Sequence, residues 1–195
     1  MISAIVLAAG KSARMGKVNK MLLPYKASIV IGTVVAALVN SLVDEIIIVE
    51  NQDASIAEHL DNNAKVKFVI NKDADQGLTS SIQCGVKTAS NNSTGYLICL
   101  GDMPLITNID YNLLINKLLS INHKVILMPI HNKKRGNPVL FSASFKEDIL
   151  LLQDNSGCKP VVTANNDFVT EVPFPNNNCH VDIDTMADYK RMISQ

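Results

Sequence analysis

Residues 7–20 combine glycine, hydroxyl and cationic side chains directly after an apolar run. They read L-A-A-G-K-S-A-R-M-G-K-V-N-K and follow residues 2–7, which predict a buried strand ending abruptly in a polar loop. Gly10 and Gly16 allow positive φ and close approach of the backbone, and successive free N–H groups in such a loop form a concavity that suits phosphate oxygens. The loop is therefore predicted to bind an anion, and we expect the Lys20 side chain to be exposed there.

The charge distribution supports an anion site at this end of the chain. Formal net charge is zero and the pI is about 6.9, so the whole molecule offers no general field that would attract nucleic acid or an anionic membrane. Residues 1–43, however, contain five cations and no carboxylate. These cations are Lys11, Arg14, Lys17, Lys20 and Lys26.

Two familiar phosphate loops do not fit this segment. The nucleoside triphosphatase loop has four residues between its glycines and then Lys-Ser/Thr, whereas five residues separate Gly10 from Gly16 and Lys17-Val18 follows. The dinucleotide-binding fingerprint fails because Ser12 stands where a glycine is needed. The full pattern, L-A-A-G-x-S-x-R-M-G-x-x-N-K-x-L-L-P, resembles the signature of the MobA-like nucleotidyltransferases and, among them, the molybdenum cofactor cytidylyltransferases.

Strand-like and helix-like segments alternate through most of the chain, which favours a mainly parallel sheet covered on both faces. The resemblance implies a single three-layer α/β/α domain over residues 1–195, with a Rossmann-like mixed sheet of the nucleotide-diphospho-sugar transferase type. Pro138 should lie at a sheet edge or a strand start, since proline cannot donate to the ladder. The patterns predict strands over 2–7, 44–50, 66–70, 96–100, 124–128, 138–141 and 168–172, and helices over 29–40, 54–60, 78–88, 109–119, 144–152 and 187–193.

Carboxylates occur at two points where a divalent metal could bind. Gly101-Asp102 follows the strand at 96–100, and ligands bind outside the carboxyl ends of strands in open α/β sheets. Near the C-terminus H-V-D-I-D-T resembles the family's D-I-D-T-P-E-D element, which implies a second carboxylate near the metal. Asp182 is the preferred ligand and Asp184 the second choice. Side chains alternate along an extended segment, so these two point the same way. One of them could instead cap the last helix. We expect Mg²⁺ on Asp102 and on this pair.

Residues 71–81 read N-K-D-A-D-Q-G-L-T-S-S and could face a ligand at a helix N-terminus. Counted from Asp73, the segment fails as a calcium loop because Gly77 comes too early and Cys84 stands at the twelfth position in place of glutamate. It resembles the family's D-x-x-x-G-L-S-x-S element, which implies that Gly77, Ser80 and Ser81 contact the nucleotide. Simple capping of the helix by the hydroxyls remains the alternative.

Two further elements bear on the acceptor substrate. The segment K-K-R-G-N-P-V resembles the family's R-G-x-P-V element, which implies that Arg135, Gly136 and Asn137 lie beside the acceptor. The later G-D-x-G-A-R element survives only as D-N-S-G-C-K, and Lys159 in place of arginine removes bidentate phosphate recognition. The four histidines have no ligand spacing, and the four cysteines lack C-x-x-C pairs, as is typical of reduced cytoplasmic proteins.

The resemblance implies transfer of a nucleoside monophosphate from a nucleoside triphosphate to a phosphorylated acceptor, with release of pyrophosphate. Catalysis is expected from Arg14, Lys20 and Asp102, and an alanine at position 9, where guanylyltransferases usually have glycine, favours CTP with molybdopterin as acceptor. Two alternatives remain: a cytidylyltransferase for a sugar or polyol phosphate, and a non-catalytic molybdenum cofactor carrier for a molybdenum hydroxylase. The residues expected to contact the nucleotide are Leu7, Ala8, Ala9, Gly10, Arg14, Lys20, Gly77, Ser80, Ser81 and Gly101.

Overall fold

A computed structural model describes residues 1–16 and 18–194, so Lys17 of the predicted anion loop lies outside the described residues. The centre of the fold is an eight-stranded sheet in the order β10-β7-β9-β6-β1-β4-β5, with β8 paired to β7. A separate hairpin is formed by β2 and β3. The strands are β1 (Ile2–Leu7), β2 (Pro24–Tyr25), β3 (Ser28–Ile29), β4 (Glu45–Glu50), β5 (Val66–Ile70), β6 (Gly95–Leu100), β7 (Ile126–His131), β8 (Lys134–Arg135), β9 (Val139–Ser142) and β10 (Val169–Pro173).

Strand β1 occupies the middle of the parallel part of the sheet. It pairs in parallel with β4 on one side and β6 on the other, and Leu7 lies opposite Val49 and Leu100. All six residues of β1 are buried, as expected of a strand covered on both faces. Because β1, β4 and β6 end at the same level, the loops that follow them begin at one rim of the sheet.

Six α-helices occur among the described residues, and the longer ones cover the two faces of the sheet. Alternate residues of β1 belong to different cores: Ala4 and Val6 pack with helices α1 and α3, and Ile5 and Leu7 pack with α2. This arrangement confirms the predicted three layers with a mixed, mainly parallel sheet. The helices are α1 (Val30–Val39), α2 (Leu78–Thr88), α3 (Asn108–Leu119), α4 (Lys146–Leu150), α5 (Lys159–Ala164) and α6 (Met186–Ile193).

Close packing of α2 on β1 depends on a glycine in the helix. A Cβ at Gly85 would lie 2.3 Å from Cγ2 of Ile5, so any larger residue would push the helix off the sheet. This contact holds α2 directly against β1. Across the described ranges, the helices are all too short or too polar to cross a membrane.

The structure differs from the sequence-based expectations in several places. The helix predicted over 54–60 is only a 3-10 turn at Ile56–His59. Pro138 directly precedes β9, so the strand-start prediction is confirmed; the edge alternative is wrong, because β9 lies inside the sheet between β6 and β7 and runs antiparallel to both. The β2–β3 hairpin and helix α5 were not predicted, since their segments of two to six residues are too short to show a period.

The opposite, amino-terminal end of the strands contains a buried carboxylate, Glu45. It accepts hydrogen bonds from the Ser3 hydroxyl at 2.5 Å, the Ser90 amide at 2.7 Å and the Lys67 ammonium at 2.9 Å. Burial alone would raise the pKa of the Glu45 carboxyl, but these hydrogen bonds outweigh burial and hold the pKa below its ordinary value. Glu45 is only 2% exposed, so the charged carboxylate joins β1, β4 and the end of α2.

We expect Glu45→Gln to lower the free energy of unfolding at pH 7 by about 1–3 kcal/mol, because the amide leaves buried donors without a charged acceptor. A depressed folded-state pKa stabilises the native state above the unfolded-state pKa and loses that contribution as pH falls through the folded-state value. The difference in free energy of unfolding between wild type and variant, measured by urea unfolding, should therefore become smaller below about pH 4.5. The exposed Glu58→Gln is the control, and a gap independent of pH would contradict this role for Glu45.

Candidate active site

The first loop leaves β1 at Leu7 and is held by side chains that the sequence analysis did not single out. Asn51, just after β4, donates from Nδ2 to the Ala9 carbonyl at 2.9 Å. The Ser12 hydroxyl accepts from the Lys20 amide at 3.2 Å and so closes the loop. Gly16 adopts the expected positive φ, of 72°. Gly10 does not, and Ser12 is instead the second described residue of this loop with a positive φ, of 50°.

Lys20 lies at the centre of a charged cluster and is not exposed, contrary to the expectation. Its side chain is only 11% exposed, and its Nζ donates to Oδ2 of Asp102 and to Oδ1 of Asp184, the latter at 3.2 Å. Arg14 reaches the other oxygen of Asp184 at 3.0 Å. The expectation failed because the sequence shows that a loop lysine is present but not that two carboxylates from distant segments will enclose it.

These carboxylates keep Lys20 charged. Burial alone would lower the pKa of the Lys20 ammonium, but Asp102 and then Asp184 outweigh burial and raise the pKa above its ordinary value. The ammonium is therefore present across the physiological pH range, where it can bind either a carboxylate or a phosphate oxygen.

The three predicted metal ligands come together at the rim. One oxygen from each of Asp102, Asp182 and Asp184 lies within 4.8 Å of the others. The backbone explains the meeting, because the Ile183 amide donates to the Asp102 carbonyl at 3.0 Å while the Ile183 side chain is fully buried. The two flanking aspartates then face the cluster, as alternation along an extended segment predicts.

The carboxylates of this cluster differ in their surroundings. Asp102 is 8% exposed, and its Oδ1 is buried with no hydrogen-bond partner among the described residues. Burial, followed by repulsion from Asp184 and Asp102, raises the pKa of the Asp182 carboxyl. An unpartnered buried carboxylate oxygen beside two further carboxylates fits a hard divalent cation, which prefers oxygen ligands.

Neither Asp182 nor Asp184 serves as the cap of the last helix. Helix α6 begins with a capping box in which the Thr185 hydroxyl accepts from the Asp188 amide at 3.2 Å and the Asp188 carboxylate accepts from the Thr185 amide at 2.9 Å. The capping alternative is thereby removed for both candidate ligands.

The second loop presents the N-terminus of α2 to the same space. Gly77 adopts φ of 93°, and a Cβ there would lie 2.9 Å from Cβ of Asn155. The Ser80 hydroxyl donates to backbone carbonyls of the turn, at 2.8 Å to Asp73, so it stabilises the loop. It does not cap α2, because the N-cap is Gly77 and no side chain accepts a capping hydrogen bond there. Asn71, which sequence reasoning did not single out, donates from Nδ2 to the hydroxyls of Ser80 and Ser81 at 3.0 Å.

Two adjoining cavities open at this rim. The first, of about 230 Å³, is lined by Lys20 and Asp102 of the charged cluster and by residues of both loops, including Ala9, Gly77 and Ser81. The second, of about 220 Å³, is mostly apolar and lies over β6, β7 and β9. They share a wall made of Leu7, Leu78 and Leu100. Of the other residues predicted to contact nucleotide, Ala8 is buried in the core, and the Gly101 amide donates to the Leu7 carbonyl at 3.1 Å.

The residues predicted beside the acceptor separate into different environments. Asn137 lines the second cavity. Gly136 packs against the backbone of Cys179, where a Cβ would lie 2.3 Å from the carbonyl oxygen. Arg135 pairs with Glu171 at 2.7 Å and lines neither cavity.

The degraded element around residues 154–159 closes the second cavity. The Gly157 amide donates to the Thr79 hydroxyl at 3.0 Å, which ties this segment to the start of α2. Cys158 and Lys159 line the cavity wall, and burial raises the pKa of the Cys158 thiol to about 12. All four cysteines are unpaired, and His59, His131 and His180 form hydrogen bonds with backbone carbonyls.

Comparison with known proteins agrees with this architecture. The family described as "MobA-like NTP transferase domain" matches residues 4–168. The molybdenum cofactor cytidylyltransferase of Escherichia coli (strain K12) is 25% identical over 188 residues, covering 96% of this chain and 93% of that protein. A nucleotidyl transferase from Methanothermobacter superposes with a TM-score of 0.84 at 25% identity, covering 100% of this chain and 96% of that one. A Mycobacterium tuberculosis protein solved in complex with manganese superposes with a TM-score of 0.81 at 23% identity, covering 100% and 98%. On these grounds the chain belongs to the MobA-like NTP transferase family.

Proposed function

We propose that this protein is a Mg²⁺-dependent nucleotidyltransferase that moves CMP from CTP to the phosphate of molybdopterin and releases pyrophosphate. The observation that carries the proposal is one cluster of two cations and three carboxylates, of which Lys20 and Asp102 line the first cavity. The cluster consists of Arg14, Lys20, Asp102, Asp182 and Asp184. The similar E. coli protein supports the choice of base and acceptor. We propose that residues 1–195 act as one domain, and the cytoplasmic location stays a prediction.

The chemistry requires positioning and charge neutralisation more than proton transfer. A phosphate monoester has a second pKa of about 6, so the acceptor is already largely a dianion at pH 7. An acceptor oxygen attacks the α-phosphorus of the nucleotide, and the bond from that phosphorus to the bridging oxygen breaks to release pyrophosphate. Lys20 would stabilise the charge on the α-phosphate, while Arg14 and the amides of the first loop would hold the departing pyrophosphate.

The residues present fit a divalent cation. Asp102, with its unpartnered Oδ1, and Asp182 and Asp184 would hold it. A bound Mg²⁺ would supply neutralisation of the negative charge on the triphosphate. The manganese found in the similar mycobacterial protein makes Mn²⁺ a suitable probe.

Two alternatives are kept. A cytidylyltransferase for a sugar or polyol phosphate would use the same nucleotide cavity, but the second cavity is lined mainly by aliphatic and aromatic side chains, which suits a less polar acceptor. A non-catalytic carrier that delivers molybdenum cofactor to a molybdenum hydroxylase would not need the paired carboxylates beside Lys20. An acceptor screen distinguishes the first alternative, and any turnover excludes the second.

The function is tested by measuring pyrophosphate release with each of four nucleoside triphosphates and Mg²⁺, using molybdopterin or a polyol phosphate as acceptor. We expect release with CTP and molybdopterin, and almost none from Asp102→Asn, which keeps the shape of the side chain but removes a ligand charge. The exposed Asp61→Asn is the matched control. No release with any combination would overturn the transferase proposal in favour of the carrier.

Base choice is predicted to depend on Ala9, whose side chain lines the nucleotide cavity. Ala9→Gly removes one methyl group, and such a difference discriminates between substrates by about 1–3 kcal/mol. We expect the variant to raise kcat/KM for GTP relative to CTP by roughly tenfold, as that range allows. A wild-type CTP:GTP ratio would show that base selectivity lies in other residues of the cavity.

Lys20→Met is expected to lower turnover by about a hundredfold or more, because it removes a preorganised charge from the transition state. It should also lower the free energy of unfolding by about 3 kcal/mol, since the buried Asp102 loses its partner. Steady-state kinetics and urea unfolding measure the two effects. Lys11→Met, an exposed lysine of the same loop, is the control, and unchanged turnover would remove Lys20 from the mechanism.

A further inference from the structure

The carboxylate cluster already contains a cation, and it belongs to the protein. Lys20 donates to two of the three candidate ligands, Asp102 and Asp184, while its own side chain is almost fully enclosed. Arg14 binds the second oxygen of Asp184. Both oxygens of Asp184 and one oxygen of Asp102 are therefore engaged by protein cations, and the free positions are Oδ1 of Asp102 and the carboxylate of Asp182, which makes no ion pair within the described residues.

A divalent ion bound at those free positions would lie next to the Lys20 ammonium. The three carboxylates offer atoms within 4.8 Å of one another, so an ion that touches two of them lies within a few ångströms of a group bonded to the same carboxylates. Like charges at that separation in a partly buried site repel strongly. The ion and the ammonium therefore compete for the cluster as long as Lys20 stays there.

A triphosphate changes this balance. The cavity that Lys20 lines is the one we assign to the nucleotide, and phosphate oxygens offer the ammonium an alternative anionic partner. When Lys20 turns to a phosphate, Oδ2 of Asp102 and Oδ1 of Asp184 become available to a metal. The same phosphates supply further oxygen ligands, as Mg²⁺ sites usually require.

We propose that Lys20 is an internal counterion that keeps divalent metal out of the Asp102, Asp182 and Asp184 cluster until a nucleoside triphosphate draws it away. The inference rests on the proposed function in that the cavity takes a nucleotide. It adds an order of binding, nucleotide before metal, and it gives Lys20 a role in the empty protein that differs from its role in the transition state. By linkage, if bound nucleotide raises the affinity for metal, bound metal raises the affinity for nucleotide by the same factor.

The test measures metal binding without nucleotide, so it does not depend on turnover. Mn²⁺ is titrated into the full chain and free Mn²⁺ is followed by electron paramagnetic resonance. Lys20→Met should bind Mn²⁺ at least about tenfold more tightly than wild type, and Lys11→Met, the same change at an exposed lysine paired with Asp75, should bind as wild type does. Arg14→Met should give a smaller gain, because Arg14 contacts only Asp184 and its side chain is 70% exposed.

Folding of Lys20→Met is checked by the Mn²⁺ dependence of its thermal unfolding. A folded variant should gain a larger rise in Tm with Mn²⁺ than wild type, and adding Asp102→Asn to it should remove both the tighter binding and that rise. Equal or weaker Mn²⁺ binding by a folded Lys20→Met would overturn the proposal. If Lys20→Met does not fold, Lys20→Arg replaces it: the bulkier guanidinium keeps the charge and should leave Mn²⁺ binding as weak as in wild type, and tight binding by that variant would overturn the proposal.

These outcomes are separable from failure of the proposed function. Calorimetry of CTP with metal-free wild type tests whether the cavity takes a nucleotide at all. If the protein binds no nucleotide but Lys20→Met still binds Mn²⁺ more tightly than wild type, the counterion role of Lys20 stands and the transferase proposal fails. If the protein binds and turns over CTP but Lys20→Met binds Mn²⁺ no more tightly than wild type, only the counterion proposal fails.

Discussion

The contact of Lys20 with Asp102 and Asp184 brings together segments that are far apart in the chain. Asp102 follows β6, Asp184 precedes α6, and Lys20 ends the loop after β1, so one ammonium spans 164 residues of sequence. Burying these charges is costly unless each finds a partner, and the mutual pairing removes most of that cost. One oxygen of Asp102 still has no hydrogen-bond partner among the described residues. This unsatisfied oxygen indicates that the site binds a ligand.

The cluster can form only because the sheet delivers its loops to one place. Strand β1 is central and paired on both sides, so its end is fixed by the ends of β4 and β6. Asn51 after β4 then holds Ala9, and Ile183 joins the C-terminal segment to Asp102. Rigid strands thus position a charged site whose residues lie almost entirely in loops, as is common in open α/β folds.

Much of this was predictable from sequence. Long buried strands and the helix at 78–88 have strong periods, and the strand at 66–70 and that helix were predicted with the same bounds that the structure has. The meeting of Asp102 with Asp182 and Asp184 followed from the rule about strand ends and from the family resemblance. The burial of Lys20 did not, because it depends on two carboxylates arriving from other segments. The same is true of Asn51 and Asn71, whose roles are hydrogen bonds to distant backbone or hydroxyl groups and leave no local pattern.

The three leucines between the cavities separate two kinds of evolutionary change. Leu7, Leu78 and Leu100 line both cavities, so replacing one of them changes the shape of both at once. The far wall of the second cavity, with Met128, Phe141 and Val162, does not line the first cavity. Substitutions in that wall can therefore reshape the second cavity, where we propose that the acceptor binds, while the first cavity keeps its dimensions. In a fold divided in this way, a few apolar side chains can change one cavity without changing the other.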